Sequence, residues 1–260
     1  MIITVLAVGD VCGLPGLRYL GRRLKSFRKE RGISFVVVNG ENANVVGVTP
    51  DQCNQILQAG ADVITLGNHT WTRWELQPYL NENSRVIRPI NYAPQCPGRG
   101  YGIYETPFGE ICVINALGKF TLDAYTDNPY VEVNRFLTEY EPLPKMILVD
   151  MHAEGTSERL AMGYYLDGRV SAVWGTHTHV QTSDAGILPE GTGFISDLGM
   201  TGAVNSILGI DIRQSVNKML GDPPRRYNSG TGAGKLEGCL FDIDTETGLC
   251  VKAEAVRLTD

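Results

Sequence analysis

The sequence predicts an α/β fold, with strand and helix alternating through the first two thirds and a more antiparallel sheet in the last third. Three observations carry this. Short continuous apolar runs recur early, as expected of strands covered on both faces. Segments with apolar residues at helical spacing and recognisable caps lie between them. From about residue 193 the apolar runs follow one another with only turns between.

The elements follow in order. "IITVLAV" (2–8) reads as the first strand. Pro15 suits a first helical turn, Leu17, Leu20, Leu24 and Phe27 make one apolar face, and Gly32 ends the helix. "SFVVVN" (34–39) is the second strand. In "TPDQ" (49–52), Thr49 is an N-cap, Pro50 the first helical residue and Gln52 the closing member of a capping box. Cys53, Ile56 and Leu57 give that helix its apolar face, and Gly60 stops it. "DVITLG" (62–67) is the third strand, with a short helix in "WTRWELQPYL". Further strands are expected at 110–116, 145–151 and 169–175, with a helix from 157 to 166. "TGFISDL", "LEGCLFDID" and "LCVKAEAVRL" are later strands, the last two joined by a hairpin at "TETG" (245–248). No repeat or low-complexity linker interrupts the chain, so a single domain over 1–260 is expected.

Bulk properties narrow the function. With 23 cationic and 29 acidic side chains the net charge is −6, so the overall field provides no general affinity for nucleic acid. The apolar run at the N-terminus has no basic flank and is too short for a signal peptide, and no run approaches the ~18 apolar residues of a membrane span. A cytoplasmic protein without a membrane partner is expected. The six cysteines (Cys12, Cys53, Cys96, Cys112, Cys239, Cys250) include no C-x-x-C pair and read as reduced, mostly buried thiols. "GTGAGK" (230–235) departs from a phosphate-binding loop: Ser229 stands at the first glycine position, Leu236 replaces the hydroxyl residue, and a strand follows. "GDVCGLPG" lacks the dinucleotide-binding spacing.

The chemistry lies just beyond the strands. Asp10 follows the first, Glu41 and Asn42 the second, Asn68 and His69 the third, His152 the run "MILVDM", and His177 and His179 the run "SAVWG". All four histidines of the chain are in this set. Carboxyl ends of parallel strands gather on one rim, where α/β proteins bind ligands. In "THTH", alternate residues of an extended segment would point the same way. Imidazole, carboxylate and amide oxygen together suit iron, manganese or zinc. Two such ions about 3.5–4 Å apart, sharing a carboxylate and a water, would generate hydroxide for in-line attack on phosphorus.

In this order, "GDVCGLPG", "NGENA", "LGNHTW", "RPINYA", "DMHAEGTSE", "AMGYYLDGRVSAVWGTHTHVQT" and "SDLGMTG" resemble the YmdB-type branch of the calcineurin-like metallophosphoesterases. The resemblance implies a two-sheet β-sandwich flanked by helices and a phosphodiesterase acting on 2′,3′-cyclic nucleotides with two divalent metals. It implies one metal among Asp10, Glu41, Asn42 and His179, and another among Glu41, Asn68, His152 and His177, with His69 as the catalytic proton donor. Two positions depart from the wider superfamily: Cys12 stands where a histidine is usual, and Thr70 where many relatives have an acidic partner for His69. Asp150 and Glu154 are candidate partners of His152, and Asp197 and Thr201 candidate substrate-side lining or parts of a structural turn. The segment 119–130 reads as a lid over a nucleobase or a packed loop. A phosphomonoesterase, a ribonuclease and a regulatory metal-binding protein without turnover are the alternatives, and a homo-oligomer is compatible with the sequence.

Overall fold

The structure, a computed structural model, describes residues 1–122 and 125–260. In chain order the elements are β1 (Ile2–Val8), β2 (Asp10–Val11), α1 (Gly13–Glu30), β3 (Ile33–Asn39), α2 (Pro50–Gln58), β4 (Val63–Thr65), α3 (Leu76–Glu82) and β5 (Val86–Ile87). Then come β6 (Tyr101–Thr106), β7 (Gly109–Leu117), α4 (Pro129–Glu139), β8 (Met146–His152), α5 (Thr156–Tyr165) and β9 (Ala172–Thr176). The chain ends with β10 (Gly186–Ile187), β11 (Gly193–Ile195), β12 (Met200–Ala203), α6 (Ile212–Met219), β13 (Gly234–Asp244) and β14 (Cys250–Thr259).

The strands form two sheets. One runs β2-β12-β13-β1-β3-β4-β5, with β14 also paired to β13; the other runs β10-β11-β9-β8-β7-β6. The alternation of each strand explains why both its faces are apolar. Ile3, Val5 and Ala7 of β1 join Phe35 and Val37 of β3 in a core with Val113, Leu148 and Trp174 of the second sheet. The intervening Leu6, Val8, Val36 and Val38 pack instead on Leu17, Leu20 and Leu24 of α1 and on Ile56 of α2. On the far side Ile114, Val149 and Met151 meet Val133 and Phe136 of α4 and Met162 of α5. The layers are therefore helix, sheet, sheet, helix, the sandwich that the family resemblance implied.

β1, β3, β4 and β5 are mutually parallel, as are β7, β8, β9 and β11. The expected antiparallel character of the last third holds for β13, which pairs antiparallel with β1, β12 and β14. The capping box on α2 is present, with Thr49 and Gln52 bonding reciprocally. The rim differs from the simplest expectation of parallel neighbours in one sheet. Its ligand-bearing ends come from β1, β3 and β4 of one sheet and from β8 and β9 of the other. The sequence reading also passed over α4, although Asn128 caps it, Pro129 opens it, and Val133, Phe136 and Leu137 form its buried face.

Candidate metal centre

The polar groups beyond the strands do meet. His152 ends β8, and its Nε2 lies 2.9 Å from Glu41 Oε1, 3.0 Å from Asn68 Oδ1 and 3.1 Å from His177 Nδ1. Glu41, His152 and His177 each offer a ligand atom, all within 4.8 Å of one another. The ring orientations follow from the other nitrogens. His152 Nδ1 donates to Thr176 Oγ1 at 2.8 Å, and that hydroxyl donates to Asp150 Oδ1, also at 2.8 Å. His177 Nε2 donates to Glu154 Oε2 at 2.9 Å. Both rings thus turn an unshared pair inward, toward a carboxylate and an amide oxygen. Four electron-rich atoms facing one another repel unless a cation sits among them, so this donor set fits a divalent metal.

The titration behaviour has the same origin. Burial disfavours charge on His152, but Glu41 beside it, then Asp10 and Asp150, push it up to about 9. Burial and the charged His152 together push His177 down to about 4. In the metal-free protein one proton thus takes the place between them that suits a metal. Burial alone would raise Glu41, yet His152 lowers it on balance.

A second set adjoins the first. Burial would raise Asp10 too, but His179 and then His152 hold its carboxyl well below the usual carboxylate range. Asp10 Oδ1 lies 3.5 Å from His179 Nε2 and 3.4 Å from Asn42 Nδ2, which is also 3.2 Å from His179 Nε2. As placed, the Asn42 amide turns its nitrogen toward these acceptors; a half-turn of the amide presents Oδ1 at the same spot. Glu41 Oε1 is 3.4 Å from Asn42 Nδ2, so one carboxylate touches both sets. His179 Nδ1 donates to the Leu208 carbonyl at 2.9 Å, so Nε2 is the nitrogen that faces Asp10. The two histidines of "THTH" accordingly face different sets.

They do so by a route other than the extended geometry expected. β9 ends at Thr176, and His177 and His179 have φ of 110° and 63°. Backbone in this region costs on the order of 1–3 kcal/mol per non-glycine residue. Three anchors hold it: His177 N–H donates to Asp10 Oδ2 (3.2 Å), Thr178 N–H to Asp197 Oδ2 (3.1 Å), and the His179 ring to Leu208.

Among the other candidates, Cys12 Sγ donates to the Asp10 carbonyl at 3.3 Å and lies 3.5 Å from His179 Nδ1, the nitrogen turned away from the centre. Burial keeps it a thiol, pushed up from its ordinary value. The Thr70 hydroxyl closes on the Gly67 carbonyl at 2.6 Å and so is committed to the turn. His69 is half-buried, and its backbone N–H donates to Glu41 Oε2 at 3.0 Å. Asp150 supports His152 through Thr176, whereas Glu154 supports His177. Asp197 and Thr201 are fully buried and line no part of the cavity over the centre; Asp197 braces the histidine loop and pairs with the buried Arg159. Arg159, Thr176 and Asn39 were not singled out from sequence. Asn39 and Thr176 carried a signal as polar last residues of apolar strands.

The cavity has a volume of about 310 Å³, and Asn42, His69, Glu154, His177, His179 and Tyr227 are among its walls. Segment 119–130, expected as a lid or a packed loop, includes Asp123 and Ala124, which lie outside the described residues; none of its other residues lines the cavity.

Comparison with known proteins gives the family. The family model described as YmdB-like protein matches residues 6–256. A Bacillus subtilis (strain 168) protein named 2′,3′-cyclic-nucleotide 2′-phosphodiesterase is 38% identical over 98% of this chain and 97% of its own. A crystal structure of a hypothetical protein from Thermus thermophilus superposes with a TM-score of 0.91 at 35% identity, covering 99% of this chain and 100% of that one. A structure described as a novel phosphatase from Mycoplasma pneumoniae gives 0.92 at 29% identity, covering 100% and 94%. With its motifs and sandwich in agreement with these matches, the chain belongs to the YmdB-like family.

Proposed function

We propose that this chain is a phosphodiesterase that opens 2′,3′-cyclic nucleotides, 2′,3′-cyclic AMP among them, acting as a single domain in the cytoplasm. The observation that carries the reading is the meeting of His152 Nε2, Glu41 Oε1, Asn68 Oδ1 and His177 Nδ1 beneath a cavity walled by His69. The name of the Bacillus subtilis relative supports the substrate class. Asp10, Glu41, Asn42 and His179 would hold one divalent ion, and Glu41, Asn68, His152 and His177 another, with iron or manganese preferred and zinc compatible. Such a pair, when bound, supplies the positive charge that lowers the pKa of water toward neutrality and offsets charge on the phosphoryl oxygens.

The chain's own groups do the rest. Asp150 and Thr176 fix the His152 ring, and Glu154 fixes His177, so neither ring must reorient during turnover. His69 stands at the cavity wall without a role in either ligand set, and it protonates the departing 2′-oxygen or bonds the phosphoryl group. His69→Ala tests this: metal content by elemental analysis stays at wild type, while 2′,3′-cyclic AMP hydrolysis falls by about 10²–10⁴. A variant that keeps full diesterase activity would refute the assignment, and a metal-loaded wild type inert toward diesters would favour a regulatory role without turnover. The phosphatase description of the Mycoplasma pneumoniae structure makes a phosphomonoester the first comparison substrate.

A further inference from the structure

The cavity over the centre adjoins a second one. Tyr227 lines both, and the backbone passes from Ile210 in the first to Asp211 in the second, whose volume is about 540 Å³. The second cavity is cationic. Arg213, Lys218, Arg225 and Arg226 line it against Asp211 and Asp222. All four cations are exposed, and among the described residues none forms an ion pair. In a chain of net charge −6, a cationic patch without ion pairs, adjoining the centre, is suited to a ligand with several anionic groups.

The patch is also built. Asp211 caps α6 by accepting from Gln214 N–H at 2.9 Å. The Gln214 side chain then spans to the following loop, donating to the Arg226 carbonyl at 2.7 Å and accepting from Asn228 N–H at 2.8 Å. Tyr227 is therefore held on both sides at the junction, with Lys218 Nζ 4.9 Å from its ring centroid. Pro223 and Pro224 restrict the backbone just before the two arginines.

We propose that this region binds the backbone phosphates of a single-stranded oligoribonucleotide whose 2′,3′-cyclic phosphate end enters the centre. The preferred substrate is then an RNA end rather than a free mononucleotide. The inference rests on the phosphodiesterase reading for the reaction at the end. There water adds to phosphorus through its oxygen, the P–O2′ bond breaks, one proton of the water goes to O2′, and a 3′-phosphate end remains. Water is the only co-reactant. The reaction that supplies such a substrate is RNA cleavage by attack of a 2′-hydroxyl on its own phosphodiester.

The test uses Arg225→Ala/Arg226→Ala with two readouts. Fluorescence anisotropy with a 3′-phosphorylated hexaribonucleotide measures binding without turnover. Wild type should weaken with salt, and losing two phosphate contacts should flatten the slope of log Kd against log salt by about 1.4. With a hexaribonucleotide ending in a cyclic phosphate, kcat/KM should fall on the order of tenfold in the variant, and with 2′,3′-cyclic AMP by less than about twofold. Equal affinity and slope for the two proteins would overturn the proposal, as would a wild-type kcat/KM no higher for the oligonucleotide than for 2′,3′-cyclic AMP. In either case turnover of 2′,3′-cyclic AMP leaves the diesterase reading standing. Failure to turn over either substrate would overturn both.

Discussion

Thr176→Val isolates the buried support beneath His152. The Thr176 hydroxyl is fully buried, donates to Asp150 Oδ1 and accepts from His152 Nδ1, each at 2.8 Å. Valine keeps the branched shape and removes both bonds, together with a long contact from Asn39 Nδ2 at 3.4 Å. Asp150 retains Thr65 Oγ1 at 2.5 Å and a long contact from Asn39 at 3.4 Å, whereas the His152 N–H loses its hydroxyl acceptor. A hydrogen bond to a charged group contributes about 1.5–3 kcal/mol, and a buried donor left without a partner costs about 1–3, so a loss of roughly 2–5 kcal/mol is expected. In a chain of this size that lowers Tm by about 5–15 °C. With the ring no longer oriented, metal affinity should fall about 10–100-fold. Thr176→Ser keeps the hydroxyl and should recover most of both effects. The measurements are urea unfolding and a Mn²⁺ titration on metal-free protein. A valine variant with wild-type stability and affinity would refute the argument, because the two bonds would then contribute nothing.

Three further outcomes follow from the same geometry. Gly67→Ala should bind metal on the order of 10–100-fold more weakly while remaining folded, because a Cβ there falls 2.4 Å from both Glu41 Oε2 and His152 Nε2; unchanged metal binding by calorimetry would count against the site. Asp197→Ala strands the buried Arg159 and frees Thr178, with an expected cost of about 3–5 kcal/mol by urea unfolding; a loss below about 1 would show that the pair is not a brace. In metal-free protein His152 is raised from 6.5 to about 9, so its stabilising contribution is fully present below pH 6.5 and lost as pH rises through 9. That alkaline limb should fall by up to about 1.4 kcal/mol per pH unit, and bound metal should flatten it by replacing the proton; equal slopes with and without metal would refute the assignment. His177 is lowered from 6.5 to about 4 and contributes stability that disappears as pH falls through 4, but Asp150, raised to about 6, opposes it there. The alkaline side is therefore the cleaner test.

Much of the site was legible because strand direction is readable from local pattern. A short apolar run followed by a helix commits its carboxyl end to one edge, and Asp10, Glu41, Asn68, His152 and His177 all stand just beyond or at such ends. Which sheet each strand joins is set by long-range pairing, so the division of the rim between two sheets was not visible in any single segment. The polar anchors were harder still. Thr176 and Asn39 each close an apolar strand, and their role appears only when His152 arrives beside them. The basic region around α6 left a different trace: its cations are plain in "NKMLGDPPRR", but their nearness to the centre depends on where Tyr227 is held.

The histidine loop explains why the rest of the rim is built as it is. Left to local preference, a segment following β9 would run on extended and send His177 and His179 to one side. A two-set centre instead requires the rings to diverge within three residues, which the chain achieves with positive φ at both. Neither residue is glycine, so the conformation must be stabilised from outside. Each anchor comes from a different element: Asp10 after β1, Asp197 after β11, and Leu208 in the loop before α6. Two of these anchors also meet the centre directly, since Asp10 faces His179 and the Leu208 carbonyl sets which nitrogen of His179 is free. The same bonds that hold the strained backbone therefore assign the imidazole lone pairs. Releasing one should disturb metal affinity and stability together, and that coupling separates a centre built into the fold from histidines that merely lie close.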